Sequence, residues 1–360
     1  MLKNASKLKP LGWNETLEKT FAPFREKGFE PGRVAVEDKH YYVVFTANAE
    51  LTGQVAGKLL HDTTRAELPK VGDWVAVKIL ENEEKAVIHH VLPRRTKLSR
   101  KVPGRETEEQ VLVTNVDIAF LVQALDQSFN PATLQRHLLM AHDGGVKPVI
   151  LLNKTDLCED VLEKLNAVEQ LAKDAPVIAV SAKTGQALDS LTQLLKPGQT
   201  IVFIGPSGVG KSSLINQLYG EEIMPTTEVR ERDAKGRHTT TWRELIVLPN
   251  GALVIDTPGM REFQMWLSGE GVHETFPDIE ELSLRCHFRG CNHTVEKRCA
   301  VLDAVEKGEL PRERYEQFLK LRRELEFLNR AAHRKKSIER KRAKNAERGS
   351  GKFRTSSEQW

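Results

Sequence analysis

Cysteine is scarce in this 360-residue chain, with only four, and long hydrophobic runs are missing. Stretches such as residues 149–152 fall far short of the roughly 18 consecutive apolar residues that cross a bilayer, so no membrane-spanning helix and no membrane partner are expected. The opening MLKNASKLKP carries lysines but no apolar core followed by small residues, which predicts no secretory signal and a cytoplasmic protein. Cys286, Cys291 and Cys299 crowd beside His287 and His293, and in a reducing compartment such a cluster indicates metal rather than disulfides. Cys158 stands alone and is expected to be a buried small hydrophobe.

Net charge is also small, +4, but it is uneven: residues 330–354 carry eleven Lys/Arg against Glu339 and Glu347. The rest of the chain is net acidic. A basic tail over residues 331–360 suits a polyanion, nucleic acid above all. The alternative is a solvated, partly disordered end with no specific partner.

The length allows two or three domains, each with its own core. Residues 1–31 read as a flexible, mildly basic segment. Over residues 32–92, RVAVED, YYVVFTA, VGDWVAVKIL and KAVIHHVL alternate between turn signals, predicting a Greek-key barrel of OB type, although an SH3-like barrel would look similar. PRRTKLSRKVPGR (93–105) holds six basic residues and no acid, and reads as a linker or exposed loop able to touch phosphate. The first domain is therefore drawn over 32–105. Over 106–267, apolar strands alternate with amphipathic helices, predicting a parallel sheet covered on both faces. Residues 268–330 are polar and helical, with Tyr315, Phe318, Leu321, Leu325 and Leu328 spaced as one packing face. The fold class expected is multidomain: an N-terminal OB-type β-barrel, a central circularly permuted α/β P-loop domain, and a C-terminal α-helical zinc-binding domain.

The permutation is inferred from motif order. GPSGVGKS (205–212) follows the strand TIVFI and opens the helix KSSLINQLYG, the setting of a phosphate loop. Gly205, Pro206, Ser207, Gly208, Val209, Gly210, Lys211, Ser212 and Ser213 form the predicted cradle, where glycines let backbone N–H groups curl around phosphates. Lys211 would reach the reacting phosphates and Ser212 would ligate Mg²⁺. DTPG (256–259) supplies Asp256 to hold Mg²⁺ through water and the Gly259 N–H to sense the γ-phosphate. Between them, RERDAKGRHTTTWREL offers Thr240, or Thr239, to complete the Mg²⁺ shell when the γ-phosphate is present.

NKTD supplies Asn153, Lys154, Thr155 and Asp156 after the strand PVILL. The Asp156 carboxylate can accept from guanine N1–H and N2–H₂, which adenine cannot offer. Asn153 can meet the base edge and tie loops together, and the Lys154 stem can pack on the ring. SAK (Ser181, Ala182, Lys183) would give a backbone N–H to guanine O6. GTP and GDP are therefore predicted rather than ATP. In ordinary GTP-binding domains these two motifs come last; here they come first. All follow predicted parallel strands, so all can still line one sheet edge after circular permutation. In the C-terminal part, the spacing C-x₄-C-x-H-x₅-C offers Cys286, Cys291, His293 and Cys299 as a closed tetrahedral shell for one structural Zn²⁺ per chain, with His287 as a competitor.

Taken together, VGDWV (71–75), NVD (115–117), NKTDL, SAKTG, GPSGVGKSSLIN, GRHTTT, DTPGMREF and the Cys/His cluster resemble the RsgA (YjeQ) family, circularly permuted GTPases dependent on the small ribosomal subunit. The resemblance implies GTP hydrolysis stimulated by that subunit, a role late in its maturation, and binding of its rRNA near the decoding region. Other assembly factors are further candidate partners, and a monomer is expected. His287 is missing from the family's ligand pattern. Met260 stands where Ras-like proteins carry a water-orienting glutamine. The resemblance points instead to His238 as the group that positions water, against the reading of a loop histidine facing rRNA or solvent. The competing functions are a nonenzymatic, GTP-dependent RNA-binding checkpoint and an ATP-using P-loop protein; Asp156 argues against the latter.

Overall fold

The structure, a computed structural model, describes residues 6–38, 41–80, 83–102, 105–172, 174–224, 243–256, 275–320 and 322–323. It comprises two compact units, Met1–Arg100 with Gln110–Thr275, and Lys101–Glu109 with Phe276–Trp360.

In the first unit, strands β1 (Glu30–Glu37), β2 (Tyr42–Phe45), β3 (Glu50–Val55), β4 (Trp74–Ile79) and β5 (Lys85–Val91) run in the order β1-β2-β3-β5-β4, and β4 returns to β1. Every pairing in this closed ring is antiparallel except β3 with β5. This is the five-stranded Greek-key closure of the OB type. Alternating side chains of these strands, among them Val34, Val44, Val75, Val77 and Ile88, fill the interior.

The expectation of a flexible segment over 1–31 does not hold for residues 6–31. Helix α1 (Glu15–Glu26) is capped by Asn14, whose side chain accepts from Leu17 N at 3.0 Å. It lays Phe21 beside Leu8, Trp13 and Trp74 in a second barrel cluster. The apolar residues here are spaced to cover a sheet face, and their burial outweighs the polar composition around them.

Residues 93–105 also differ from the expected linker. They lead into β6 (Lys97–Val102), which forms a two-stranded sheet with β7 (Arg105–Thr114). Thr96, Leu98 and Ser99 are buried. Arg94 pairs with the buried Asp73 at 2.8 Å, and Arg95 with Asp117 at 2.6 Å. These arginines are engaged with carboxylates of the same unit, and composition alone could not reveal that.

The α/β portion contains β8 (Ile118–Ala124), β9 (Lys147–Asn153), β10 (Val177–Ala179), β11 (Thr200–Ile204), β12 (Arg243–Val247) and β13 (Leu253–Asp256), ordered β10-β9-β8-β11-β13-β12. All these pairings are parallel except β12 with β13. Every residue of β8 and β11 is buried, as covering both faces requires. Among the helices are α2 (Gly57–Asp62) in the barrel, then α3 (Pro131–Asp143), α4 (Val161–Ala172), α5 (Leu188–Gln193) and α6 (Lys211–Tyr219). On its outer side β12 pairs with barrel strand β1, Val36 opposite Glu244, so barrel and α/β sheet share one hydrogen-bonded ladder.

The second unit holds α7 (Pro277–Ser283), α8 (Ala300–Glu306) and a helix over residues 312–320. Phe276, Ile279, Val301, Leu310, Tyr315 and Phe318 are buried. Tyr315 and Phe318 thus take the expected packing role, while the side chains of Leu321, Leu325 and Leu328 lie outside the described residues. Among the described residues no helix is long and apolar enough to cross a membrane.

Candidate nucleotide and metal sites

The inverted motif order is reconciled by one buried amide. Asn153, the last residue of β9, accepts from Ala182 N at 3.0 Å and donates from Nδ2 to Val209 O at 2.8 Å. NKTD, SAK and the phosphate loop therefore meet at a single side chain, although 56 positions separate Asn153 from Val209.

Around it, Lys154 takes a left-handed φ of 66° and its ammonium pairs with Asp126 at 2.8 Å. The Lys154 hydrogen bond, with a second from Ser128, holds the Asp126 carboxyl down at about 2. The Thr155 hydroxyl donates to Gln186 Oε1 at 3.0 Å. Asp156 accepts from the Ser181 hydroxyl at 2.5 Å, which lowers its pKa and keeps the carboxylate charged. Asn153, Lys154, Asp156, Lys183, Gly210 and Ser213 line an open cleft of about 680 Å³.

The phosphate loop begins where β11 ends. Gly208 (φ 80°) and Gly210 (φ 97°) occupy the left-handed region that side chains disfavour. Helix α6 starts at Lys211, aiming its first N–H groups and its dipole at the loop. Lys211 Nζ donates to Gly205 O and Pro206 O, at 2.7 Å each, so the ammonium already sits within the loop. Ser207 and Gly208 are exposed, Val209 is buried, and Ser212 and Ser213 are half-buried at the helix start. Asp256 ends β13, whose Ile255 lies opposite Val202 of β11, so both phosphate-side strands finish at the same edge. His238, Thr239 and Thr240, and likewise Gly259 and Met260, lie outside the described residues.

Two polar residues were not singled out from sequence. Asp126 follows β8 and fixes Lys154, a pairing across 28 positions with no local signal. His137 is buried on α3; burial, then the cations Lys211 and Arg136, push its imidazole down to about 4. Its only trace in sequence is a histidine on an apolar helix face. Cys158 is half-exposed rather than buried.

In the second unit, the ligand atoms of Cys286, Cys291, His293 and Cys299 all lie within 4.8 Å of one another. The separations are 3.8 Å for Cys286 Sγ to Cys299 Sγ, 3.6 Å for Cys286 Sγ to His293 Nδ1, and 3.3 Å for His293 Nδ1 to Cys299 Sγ. A tetrahedral Zn²⁺ with bonds of about 2.0–2.3 Å sets such atoms about 3.5–3.8 Å apart, so the donor set fits the ion. His287 takes no part in the cluster and packs edge-on against Phe288 at 4.8 Å. Glu296 organises the loop: its carboxylate accepts from the N–H groups of Thr294 and Asn292, at 2.9 Å each, which depresses its pKa to about 2. The Tyr315 hydroxyl donates to His293 O at 2.6 Å. Burial raises the Cys299 thiol to about 12, a cost that a bound cation reverses by displacing the proton.

The phosphate-loop, NKTD and SAK motifs on one sheet edge, in permuted chain order behind an OB barrel, are the arrangement of a circularly permuted P-loop GTPase. The RsgA GTPase family profile matches residues 91–266. The chain is 44% identical over 328 residues to the small ribosomal subunit biogenesis GTPase RsgA of Opitutus terrae, covering 88% of this chain and 89% of the relative. It is 43% identical over 304 residues to small ribosomal subunit biogenesis GTPase RsgA 2 of Lactiplantibacillus plantarum, covering 84% and 85%. The crystal structure of YjeQ from Thermotoga maritima is similar with a TM-score of 0.61 and 29% identity, covering 82% of this chain and 98% of that one. YloQ, a circularly permuted GTPase, gives 0.60 at 27% identity, covering 83% and 95%. The chain belongs to the RsgA GTPase family. It is a GTP hydrolase, using GTP/GDP and Mg²⁺ as that family does.

Proposed function

We propose that this GTPase binds the small ribosomal subunit through its rRNA and assists late maturation, hydrolysing GTP faster when bound. The observation that supports the nucleotide part of this reading is Asn153 joining Ala182 and Val209, which brings NKTD, SAK and the phosphate-loop motif together from permuted segments. The small-subunit part is supported by the names of the relatives. In this reading Asp156 selects guanine, Ala182 N meets its O6, and Lys183 closes the cleft. Residues 205–213 cradle the phosphates. Lys211 turns its donors from Gly205 O and Pro206 O to phosphate oxygens. Ser212, Asp256 and Thr240 would hold Mg²⁺, which supplies charge neutralisation at the phosphates. His238 positions the attacking water. Cys286, Cys291, His293 and Cys299 hold one Zn²⁺ that shapes the second unit.

Arg94 and Arg95 are paired internally, so the RNA-facing role falls to the barrel surface and to the basic tail over 331–360. A cytoplasmic location, a monomeric state and contact with other assembly factors belong to the same proposal, as do the domain limits drawn from sequence apart from the flexible segment over 1–31 and the linker over 93–105. The test is GTP turnover with and without purified small subunits at two salt concentrations. Stimulation that weakens with salt supports the reading. No stimulation at either salt favours a checkpoint in which bound GTP selects a conformation and hydrolysis is incidental.

A further inference from the structure

The nucleotide site leaves VGDWV, NVD and a buried cation between them unexplained. Arg33 lies on β1 and is 2% exposed. Burial lowers its pKa to about 10, so it stays charged at neutral pH. Its guanidinium donates to Leu11 O, to Thr200 Oγ1 at 2.7 Å and to Asn115 O at 3.5 Å, and lies 5.4 Å from the Trp74 ring centre. Among the described residues these partners are all neutral, and Nε has none.

Those partners come from four places: the N-terminal segment, VGDWV, NVD, and the first residue of β11. NVD completes the junction. Asp117 accepts from Thr200 N at 2.8 Å, and Asn115 Nδ2 donates to Gly72 O at 3.1 Å. The backbones also touch, since a Cβ on Gly12 would stand 2.7 Å from Gly198 O. Thr200 begins the strand that delivers Gly205 to the phosphate loop. The same barrel strand reaches the other phosphate-side strand, because Val36 pairs with Glu244 and Glu244 pairs with Asp256.

The charges that act on it, Asp117 and Asp73 favouring the cation and Arg95 opposing it, make no hydrogen bond to it. A buried ion so held, with an unmet donor, is a poor source of net stability, and an apolar side chain would fill the position with less desolvation. What the arginine supplies is a fixed arrangement. We infer that Arg33 is a positioning residue: with the Val36–Glu244 ladder it locks the barrel onto both strands that carry the phosphate-side loops, so a load on the barrel is felt at the nucleotide. The use made of this coupling rests on the small-subunit reading; the coupling itself does not.

The first arm is amide hydrogen exchange on the full chain with and without GDP. In the unaltered protein, GDP slows exchange in β11 and also in β1 and β4. In Arg33→Met and in Thr200→Val the slowing stops at the α/β portion. Thr200→Val removes only the acceptor and carries the test if Arg33→Met does not fold. The second arm is turnover: the ratio of subunit-stimulated to unstimulated hydrolysis falls about tenfold in both variants, while unstimulated turnover stays within about twofold. Arg33→Lys, which keeps the cation, recovers part of the ratio. Barrel exchange indifferent to GDP in the unaltered protein overturns the coupling, and so does a proportional loss of stimulated and unstimulated rates. Absence of any subunit stimulation in the unaltered protein defeats the functional reading alone, leaving exchange to decide the coupling.

Discussion

Asn153 and Gly210 occupy adjoining space so closely that one requires the other to lack a side chain. The Asn153 amide donates to Val209 O at 2.8 Å, and a Cβ on Gly210 would overlap the same Nδ2. Gly210 also sits at φ 97°. Gly210→Ala therefore meets backbone strain and a clash with the side chain joining three loops. It is expected to cost about 1–3 kcal/mol of stability and to weaken GDP binding at least about tenfold. Thermal melting and titration with a fluorescent GDP analogue measure both.

Asp156→Asn replaces an acceptor with a donor while keeping its shape. GTP affinity is expected to fall about 100-fold or more, and xanthine nucleotides, which offer an acceptor at the corresponding position, are expected to gain. Competition between GTP and XTP for the variant decides it. Retained guanine preference would remove Asp156 from base recognition.

Cys291→Ala opens the Cys₃His shell. Zinc content is expected to drop from one per chain to near none, with loss of helical signal from α7 and α8, because binding energy in a closed site is folding energy. GDP affinity is expected to stay within about twofold, since among the described residues no member of the cluster lines the nucleotide cleft. Metal analysis and circular dichroism are the readouts. Full zinc occupancy in the variant counts against the ligand set.

His137 gives a pH signature. Its folded pKa is about 4, against an ordinary value of 6.5. The stability linked to the neutral ring is complete above the unfolded value and is lost as pH falls through the folded one. The loss between neutrality and pH 4 is on the order of 3 kcal/mol. Urea midpoints at pH 7.5 and 5 are expected to differ less in His137→Gln than in the unaltered protein. Equal differences would show that the ring is not held neutral.

His238→Ala tests how water is oriented in a site where Met260 replaces glutamine. Subunit-stimulated turnover is expected to fall about 100-fold with GTP affinity little changed. Undiminished stimulation would leave the water to another group.

The meeting of the nucleotide motifs was legible because local chemistry restricts residue type: glycines where φ is positive and an asparagine able to bridge loops. The parallel sheet and the Cys/His cluster were legible for similar reasons. What stayed hidden depends on partners far along the chain. Arg94 and Arg95 look like solvated charge until Asp73 and Asp117 are placed beside them. The N-terminal segment looks irregular until Trp13 meets Trp74. Arg33 within RVAVED gives no hint that its partner is Thr200, 167 positions away.

The pairing of β1 with β12 also protects a vulnerable edge. Without the barrel, β12 would present bare N–H and C=O groups along the border of a sheet, a template onto which another chain could add a strand. An isolated α/β fragment is therefore expected to self-associate. Activity lost on deleting the barrel would then report aggregation as much as the loss of the proposed RNA-facing surface, and point substitutions on the barrel's outer face are the cleaner way to separate the two.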